Sequence, residues 1–243
     1  MTTTQRSIWT GLSRRIALVA GLAALAGCTT GNQGSSYWTE VGQILARGVD
    51  EIQRGRPDRV IPTRAQLNQF FGNVETIEVV IPSRDLYDFV RLIDRRTDRS
   101  PGELKTYQSF DLATVTFRNG VLVNTRSIGG DVLSHSVAVT GAVPGPIDVG
   151  ERRLEIFALD NKSVGVFLDC QIRSEGTKQI VVYEITHTAE HLIEDCSWGS
   201  NTLDRNGTIQ NEYWVSPSQN VVWKSRQWAG PLIGYIETQQ ITR

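Results

Sequence analysis

His187 and His191 bracket Glu190 in the pattern His-x-x-Glu-His, the spacing of the inverted zinc metallopeptidases. On a helix, residues four apart share a face. Both imidazoles could then hold one metal while the carboxylate polarised its water. The preceding stretch argues for a different backbone. Gln179 to Ile185 alternates as a strand does and runs directly into the motif. Strand residues four apart stand about 13 Å from each other, too far to share an ion. Glu212 and Glu237 are the downstream third-ligand candidates, and no motif supports either. The expectation is therefore no metal and no cofactor, with 187–191 a solvated turn between strands.

Cysteine chemistry is the second option. Cys196 with His187 or His191 would suit a thiol nucleophile only if the pair met in space and the thiolate were stabilised, and nothing in the spacing secures either. The chain has three cysteines, Cys28, Cys170 and Cys196. If the first carries a lipid, one pair remains for an oxidising compartment. A Cys170–Cys196 bridge would close a loop of about 27 residues, worth roughly 3.5 kcal/mol in the chain-entropy picture. Two buried thiols or a redox pair are the alternatives, although redox dithiols usually sit as Cys-x-x-Cys. No Gly-x-Ser-x-Gly elbow or phosphate-binding glycine loop occurs. Paired carboxylates for glycoside hydrolysis are a matter of spatial pairing, which sequence does not display.

The densest aromatic stretch lies near the C-terminus. Tyr213, Trp214, Trp223 and Trp228 occur beside Lys224 and Arg226. Aromatic faces can stack on the apolar faces of sugars, and Arg can pair bidentately with uronate or phosphate groups. Along a strand Lys224, Arg226 and Trp228 would share one face, opposite Trp223, Ser225 and Gln227. Two readings stand side by side. Either the tryptophans fill a core with the cations on its rim, or these six residues form a glycan or partner surface.

The elements that would position these groups begin with an address. Arg6, Arg14 and Arg15 precede an uncharged apolar run from Ile16 to Leu25. That run is shorter than the roughly 20 residues needed to span a bilayer, so residues 1–27 read as a cleaved export signal. Leu25-Ala26-Gly27-Cys28 has the form of a bacterial lipobox, which makes Cys28 the acylated residue. Thr29 follows it, where lipoproteins retained in the inner membrane often carry Asp; this favours the outer membrane. An N-terminus with several acyl chains is held stably at a membrane. Removing the signal takes away three basic residues and no acidic ones from totals of 25 and 26. The remaining chain is net acidic and offers no footprint for nucleic acid.

Residues 28–36 read as a small polar tether and 37–243 as a single domain. Tyr37 to Arg54 places apolar residues at three- and four-residue spacing, an amphipathic helix. Thr63 caps a second short helix, Arg64 to Phe71, stopped by Gly72. Strands then dominate, from Thr76 to Pro82 onward. Asp85 to Ile93 fits either helix or strand. Phe110 to Arg118 and Val121 to Ile128 flank Asn119-Gly120, a strong two-residue hairpin signal. Further strands are expected at Arg153–Asp160, Val164–Ile172, Gln179–Ile185, Gly207–Val215, Val221–Trp228 and Ile233–Ile241. Turns at Asp160-Asn161, Glu175-Gly176, Asn206-Gly207 and Pro217–Asn220 separate them. The fold class is mainly β: one antiparallel meander or partly open barrel with one or two N-terminal helices.

Two blocks in this strand-rich region resemble a known family. The hairpin from Thr114 to Asp131, Thr-Val-Thr-Phe-Arg-Asn-Gly-Val-Leu-Val-Asn-Thr-Arg-Ser-Ile-Gly-Gly-Asp, is similar to the central motif of the YjbF/GfcB-type lipoproteins of capsule and exopolysaccharide operons. Tyr213-Trp-Val-Ser-Pro217 and Val222-Trp-Lys-Ser-Arg-Gln-Trp-Ala-Gly-Pro231 resemble that family's ending. The resemblance implies an outer-membrane lipoprotein, mostly β, serving extracellular polysaccharide production or export. It carries over no catalytic residue.

The resulting expectation is a non-enzymatic accessory lipoprotein facing the periplasm, held by its lipid, that contacts polymer or proteins of the secretion machinery. The rivals are an envelope enzyme acting on polysaccharide, a zinc peptidase, and a structural role in envelope assembly.

Overall fold

The computed structural model describes residues 61–147, 150–158, 162–199 and 206–242. The expected export signal, the lipidation site Cys28, the tether expected at 28–36, the helix expected at 37–54 and the turn expected at Asp160-Asn161 lie outside the described residues. The described part opens with helix α1, Arg64–Phe71. Its start is a reciprocal cap: Thr63 Oγ1 accepts from Gln66 N–H and Gln66 Oε1 accepts from Thr63 N–H. That satisfies two of the backbone donors a helix start leaves open. Gly72 ends it at φ +55°.

Twelve strands follow: β1 (Thr76–Ile81), β2 (Leu86–Arg96), β3 (Leu104–Gln108), β4 (Thr114–Arg118), β5 (Val121–Arg126), β6 (Val132–His135), β7 (Glu151–Ala158), β8 (Lys162–Val182), β9 (Ile185–Trp198), β10 (Gly207–Ser216), β11 (Val221–Trp228) and β12 (Tyr235–Thr242). They form one antiparallel sheet in the order β5-β4-β3-β2-β1-β12-β11-β10-β9-β8-β7-β6. Two meanders, β1–β5 and β6–β12, are therefore joined where β1 pairs with β12. The sheet curls until its edge strands β5 and β6 meet, which nearly closes a barrel. Side chains bridge that seam. Asn124 Nδ2 donates to Leu133 O (2.7 Å), Val132 N–H donates to Thr125 Oγ1 (2.9 Å), and His135 Nδ1 lies 2.9 Å from Leu122 O.

The mainly β expectation holds, and the ambiguous segment at 85–93 is strand β2. Asn119 (φ +50°) and Gly120 (φ +87°) make the expected tight hairpin, with Arg118 opposite Val121. Strand β4 starts later than its sequence pattern suggests. Phe110 and Leu112 are 94% and 68% exposed, and Leu112 has φ +70°. They occupy the β3–β4 turn, and the apolar face belongs to Val115 and Phe117. Strands β3 and β6 had no sequence signal of comparable strength.

The largest correction concerns 162–191. Glu175-Gly176 is not a turn between strands. β8 runs 21 residues through it with only a register shift between Ser174 and Thr177, so the pair forms a bulge. The chain reverses at Tyr183 and Glu184, both at positive φ. The motif at 187–191 is thus part of strand β9 and not a turn. The tip of this β8–β9 hairpin rests on the outside of the barrel. Val182, Leu67 of α1 and Ile241 of β12 form a small core there, and Tyr183 meets Phe89 of β2 with ring centroids 5.9 Å apart. The main core lies inside the barrel and includes Ile77, Val79, Phe117, Leu154, Val166 and Ile236.

Candidate functional site

Strand parity decides where each candidate points. On β9, Glu194 and Cys196 face the barrel interior, whereas His187 and His191 face outward. His187 stacks on Trp223 at 3.6 Å, and His191 lies nearly parallel to Trp214 at 4.5 Å with its Nε2 3.0 Å from Glu212 Oε2. Burial, then the charge of Arg64, lowers the His187 pKa. Glu190 faces the other way and accepts from Ser174 Oγ at 2.8 Å. Glu237 pairs with Arg226 at 3.6 Å. The His-x-x-Glu-His residues therefore do not converge, as the strand spacing requires.

Cys170 and Cys196 face each other across β8 and β9 with Cα atoms 4.1 Å apart, and they form a disulfide. Glu194 stands beside the two sulfurs. The bridge occupies both sulfurs, and the carboxylate is paired with Arg152. Cys196 therefore meets neither histidine of the motif: its sulfur lies in the main core, and His187 and His191 stack on Trp223 and Trp214 outside it.

The aromatic and cationic candidates separate into two environments. Tyr213 is fully buried inside the barrel, and Trp228 is buried against Trp198 (5.4 Å, stacked); neither can form a surface. A register shift between Trp214 and Val215 sets Trp223 between Val222, which lies opposite Val215, and Lys224, which lies opposite Trp214. That bulge alters the expected alternation. Trp223 joins Val221, Ala189 and Trp214 on the outside, but it is only 6% exposed. Trp214, Lys224 and Arg226 remain accessible. Lys224 Nζ sits 5.7 Å from the Trp214 ring centroid, and the Arg226 guanidinium lies 3.4 Å over Tyr235. Trp214, Lys224 and Arg226, with Glu237 and Gln239, border a pocket of about 170 Å³. Tyr235 is a member of this face that the sequence did not single out.

Inside the barrel, a polar cluster answers for Tyr213. Arg152 and Glu194, 2% and 0% exposed in their side chains, form an ion pair. Glu194 Oε2 also accepts from Asn211 Nδ2 (2.8 Å) and from Tyr213 Oη (3.0 Å). Burial, then the Glu194 charge, pushes the Tyr213 phenol well above its usual range. Gln227 reaches across the interior. Its Oε1 accepts from Leu122 N–H (2.8 Å), and its Nε2 donates to Gly120 O (3.0 Å) and Ser225 Oγ (2.9 Å). The block Ser225-Arg226-Gln227-Trp228 is thus largely an architectural device: only Arg226 points to solvent.

A second polar cluster lies at the barrel end marked by the Asn119-Gly120 turn. Glu75 accepts from Tyr107 Oη (2.6 Å) and Lys105 Nζ (2.9 Å) and pairs with Arg95. Burial pushes its pKa up, but these hydrogen bonds and the two cations outweigh it and hold the carboxyl below its usual range. Glu103 stands 3.8 Å from Lys105 and 3.7 Å from Arg95. These groups were not legible as a site, since they converge from β2, β3 and the segment before β1.

The sequence model of a family described as group 4 capsule polysaccharide lipoprotein gfcB, YjbF, matches residues 89–241. Among solved structures, the chain is similar to the hypothetical lipoprotein YmcC from Escherichia coli K12. That likeness has a TM-score of 0.58 at 16% identity and covers 99% of this chain and 98% of the other; it is a likeness of fold. No curated protein matches the chain.

Proposed function

Because the chain belongs to the family of group 4 capsule polysaccharide lipoproteins, we propose that it is a non-enzymatic accessory of capsule or exopolysaccharide export. In this reading it is anchored through Cys28 in the outer membrane, faces the periplasm, and touches the polymer with the outer face of β10–β12. The observation that carries the contact is the pairing of two accessible cations with two accessible rings, Lys224 with Trp214 and Arg226 with Tyr235, the first pair and Arg226 bordering one pocket. Rings can take the apolar face of a sugar while the cations meet a uronate or phosphate beside it. Stacked rings also keep the cations partly dehydrated, which strengthens their pairing with an anion.

The test is a tryptophan-fluorescence titration of the full chain with polysaccharide from its own host, in a detergent without a sugar headgroup. Trp214→Ala and Arg226→Ala are run beside it, with folding checked by circular dichroism. Saturable binding that folded variants lose supports the reading. Absence of binding removes direct glycan recognition and turns the search to protein partners in the export machinery.

A further inference from the structure

We infer that the barrel end at the Asn119-Gly120 turn is a second binding site, shaped for a single uncharged sugar ring, such as the end of a glycan chain. This deepens the reading above and rests on it for the source of the sugar. The site itself is a cavity of about 220 Å³. That is below the roughly 300–1,000 Å³ of pockets for drug-sized ligands, so it accommodates one ring and not a run of polymer. Barrel mouths are among the places where such sites form.

Its chemistry selects the ligand class. Tyr107 and Phe117, centroids 6.1 Å apart and nearly perpendicular, supply an aromatic floor with Ile77 beside them. The charges balance: carboxylates Glu75 and Glu103 are matched by Lys105 and Arg95. An ionic ligand would have to break these pairs, whereas a neutral one would not. The amides are asymmetric in what they leave over. Asn119 Nδ2 donates to Thr140 O and Val143 O, and Gln240 Nε2 donates to Thr76 O and Thr242 O. Asn119, Gln240 and Glu103 line the cavity and can each offer an oxygen as acceptor, while Lys105, Asn220 and Thr238 of the same lining can donate. The complement is a neutral ligand that both donates and accepts hydrogen bonds and has an apolar face, and a pyranose ring meets all three demands.

The same wall offers a way to block the site. Gly141 borders the cavity, and a Cβ added there would meet only Gly102 N, at 3.8 Å. Gly141→Phe therefore adds bulk at the mouth without a backbone clash. Glu103→Gln keeps the shape and alters one acceptor.

The experiment is isothermal titration of the full chain, in the same sugar-free detergent, with glucose, galactose, N-acetylglucosamine and glucuronate. A neutral sugar should bind saturably and more tightly than glucuronate. Gly141→Phe should weaken it about tenfold or more, and Glu103→Gln about three- to tenfold. Both variants are checked for native circular dichroism. No binding by any neutral sugar, stronger binding of glucuronate, or affinity unchanged in folded Gly141→Phe overturns the inference. A polymer titration on the same preparation separates the two readings. Polymer binding without monosaccharide binding overturns the mouth site alone; the reverse overturns the outer face alone.

Discussion

Replacing Gln227 with Ala should destabilise the fold far more than an ordinary core truncation of a polar residue. The residue is 3% exposed, and its side chain satisfies two backbone groups of the opposite hairpin, Leu122 N–H and Gly120 O. Truncation leaves both without their partner. A buried polar group without a partner costs about 1–3 kcal/mol, so two cost about 2–6 kcal/mol. Gly120 borders the 220 Å³ cavity, through which water can reach its carbonyl, and this brings the expectation to about 3 kcal/mol. Against a typical domain stability of about 5–15 kcal/mol, such a loss is easily read from a urea denaturation midpoint with unchanged slope. Gln227→Glu sharpens the point. It would set a second carboxylate beside Glu194, both within reach of Tyr213 Oη. Its folded pKa would rise, so its deficit relative to wild type should be larger at pH 8 than at pH 5. A loss below about 1 kcal/mol for Gln227→Ala, or a pH-independent deficit for Gln227→Glu, would refute the view that this side chain ties the hairpin into the barrel.

Other consequences follow from the same interior. Replacing Cys170 and Cys196 together with Ala should cost about 3 kcal/mol, measured as a fall in denaturation midpoint that reductant reproduces in the wild type. Burial holds the His135 pKa at about 4, below its unfolded value of 6.5. The stability this contributes is complete above pH 6.5 and falls, by up to about 3 kcal/mol, as the pH drops from 6.5 to 4. His135→Gln should flatten that part of the stability–pH curve. Gly120→Ala forces φ +87° on a side-chain residue and places its Cβ 2.2 Å from Val222 Cγ2. A loss of about 2–3 kcal/mol in thermal or urea melts is expected, partly recovered by adding Val222→Ala.

What was legible in the sequence was local. The Thr63 cap, the Gly72 stop and the Asn119-Gly120 hairpin each depend on residues within a few positions, and each is in place; the answering hydrogen bond from Thr63 N–H to Gln66 Oε1 appears only in the structure. The β8–β9 hairpin was misread because Gly176, at φ +78°, serves a bulge as well as it would serve a turn. The true reversal at Tyr183-Glu184 has no glycine to mark it and is set by pairing and by the contact with Phe89. The aromatic face was half legible. Alternation placed Lys224 and Arg226 together correctly, but the bulge opposite Trp214 moved Trp223 to their side, and bulges have no reliable signature in a run such as Val-Val-Trp-Lys. Gln227 carried no sign of its role, because its backbone partners lie more than a hundred residues earlier.

The joint between β1 and β12 has a consequence for how the molecule comes into being. That pair links Thr76 to Thr242 and Val80 to Glu237, so the meander β1–β5 has an unsatisfied inner edge until β12 arrives. A chain delivered N-terminus first must hold that edge open through the passage of more than 150 residues. Contacts so distant along the chain are slow to form, and an open strand edge invites wrong partners meanwhile. The protein's biogenesis is therefore a waiting problem: a chaperone bound to the early half, or arrest of delivery before residue 235, acts on a half-built sheet. Stopping the chain just short of β12 should yield a species whose first five strands pair promiscuously.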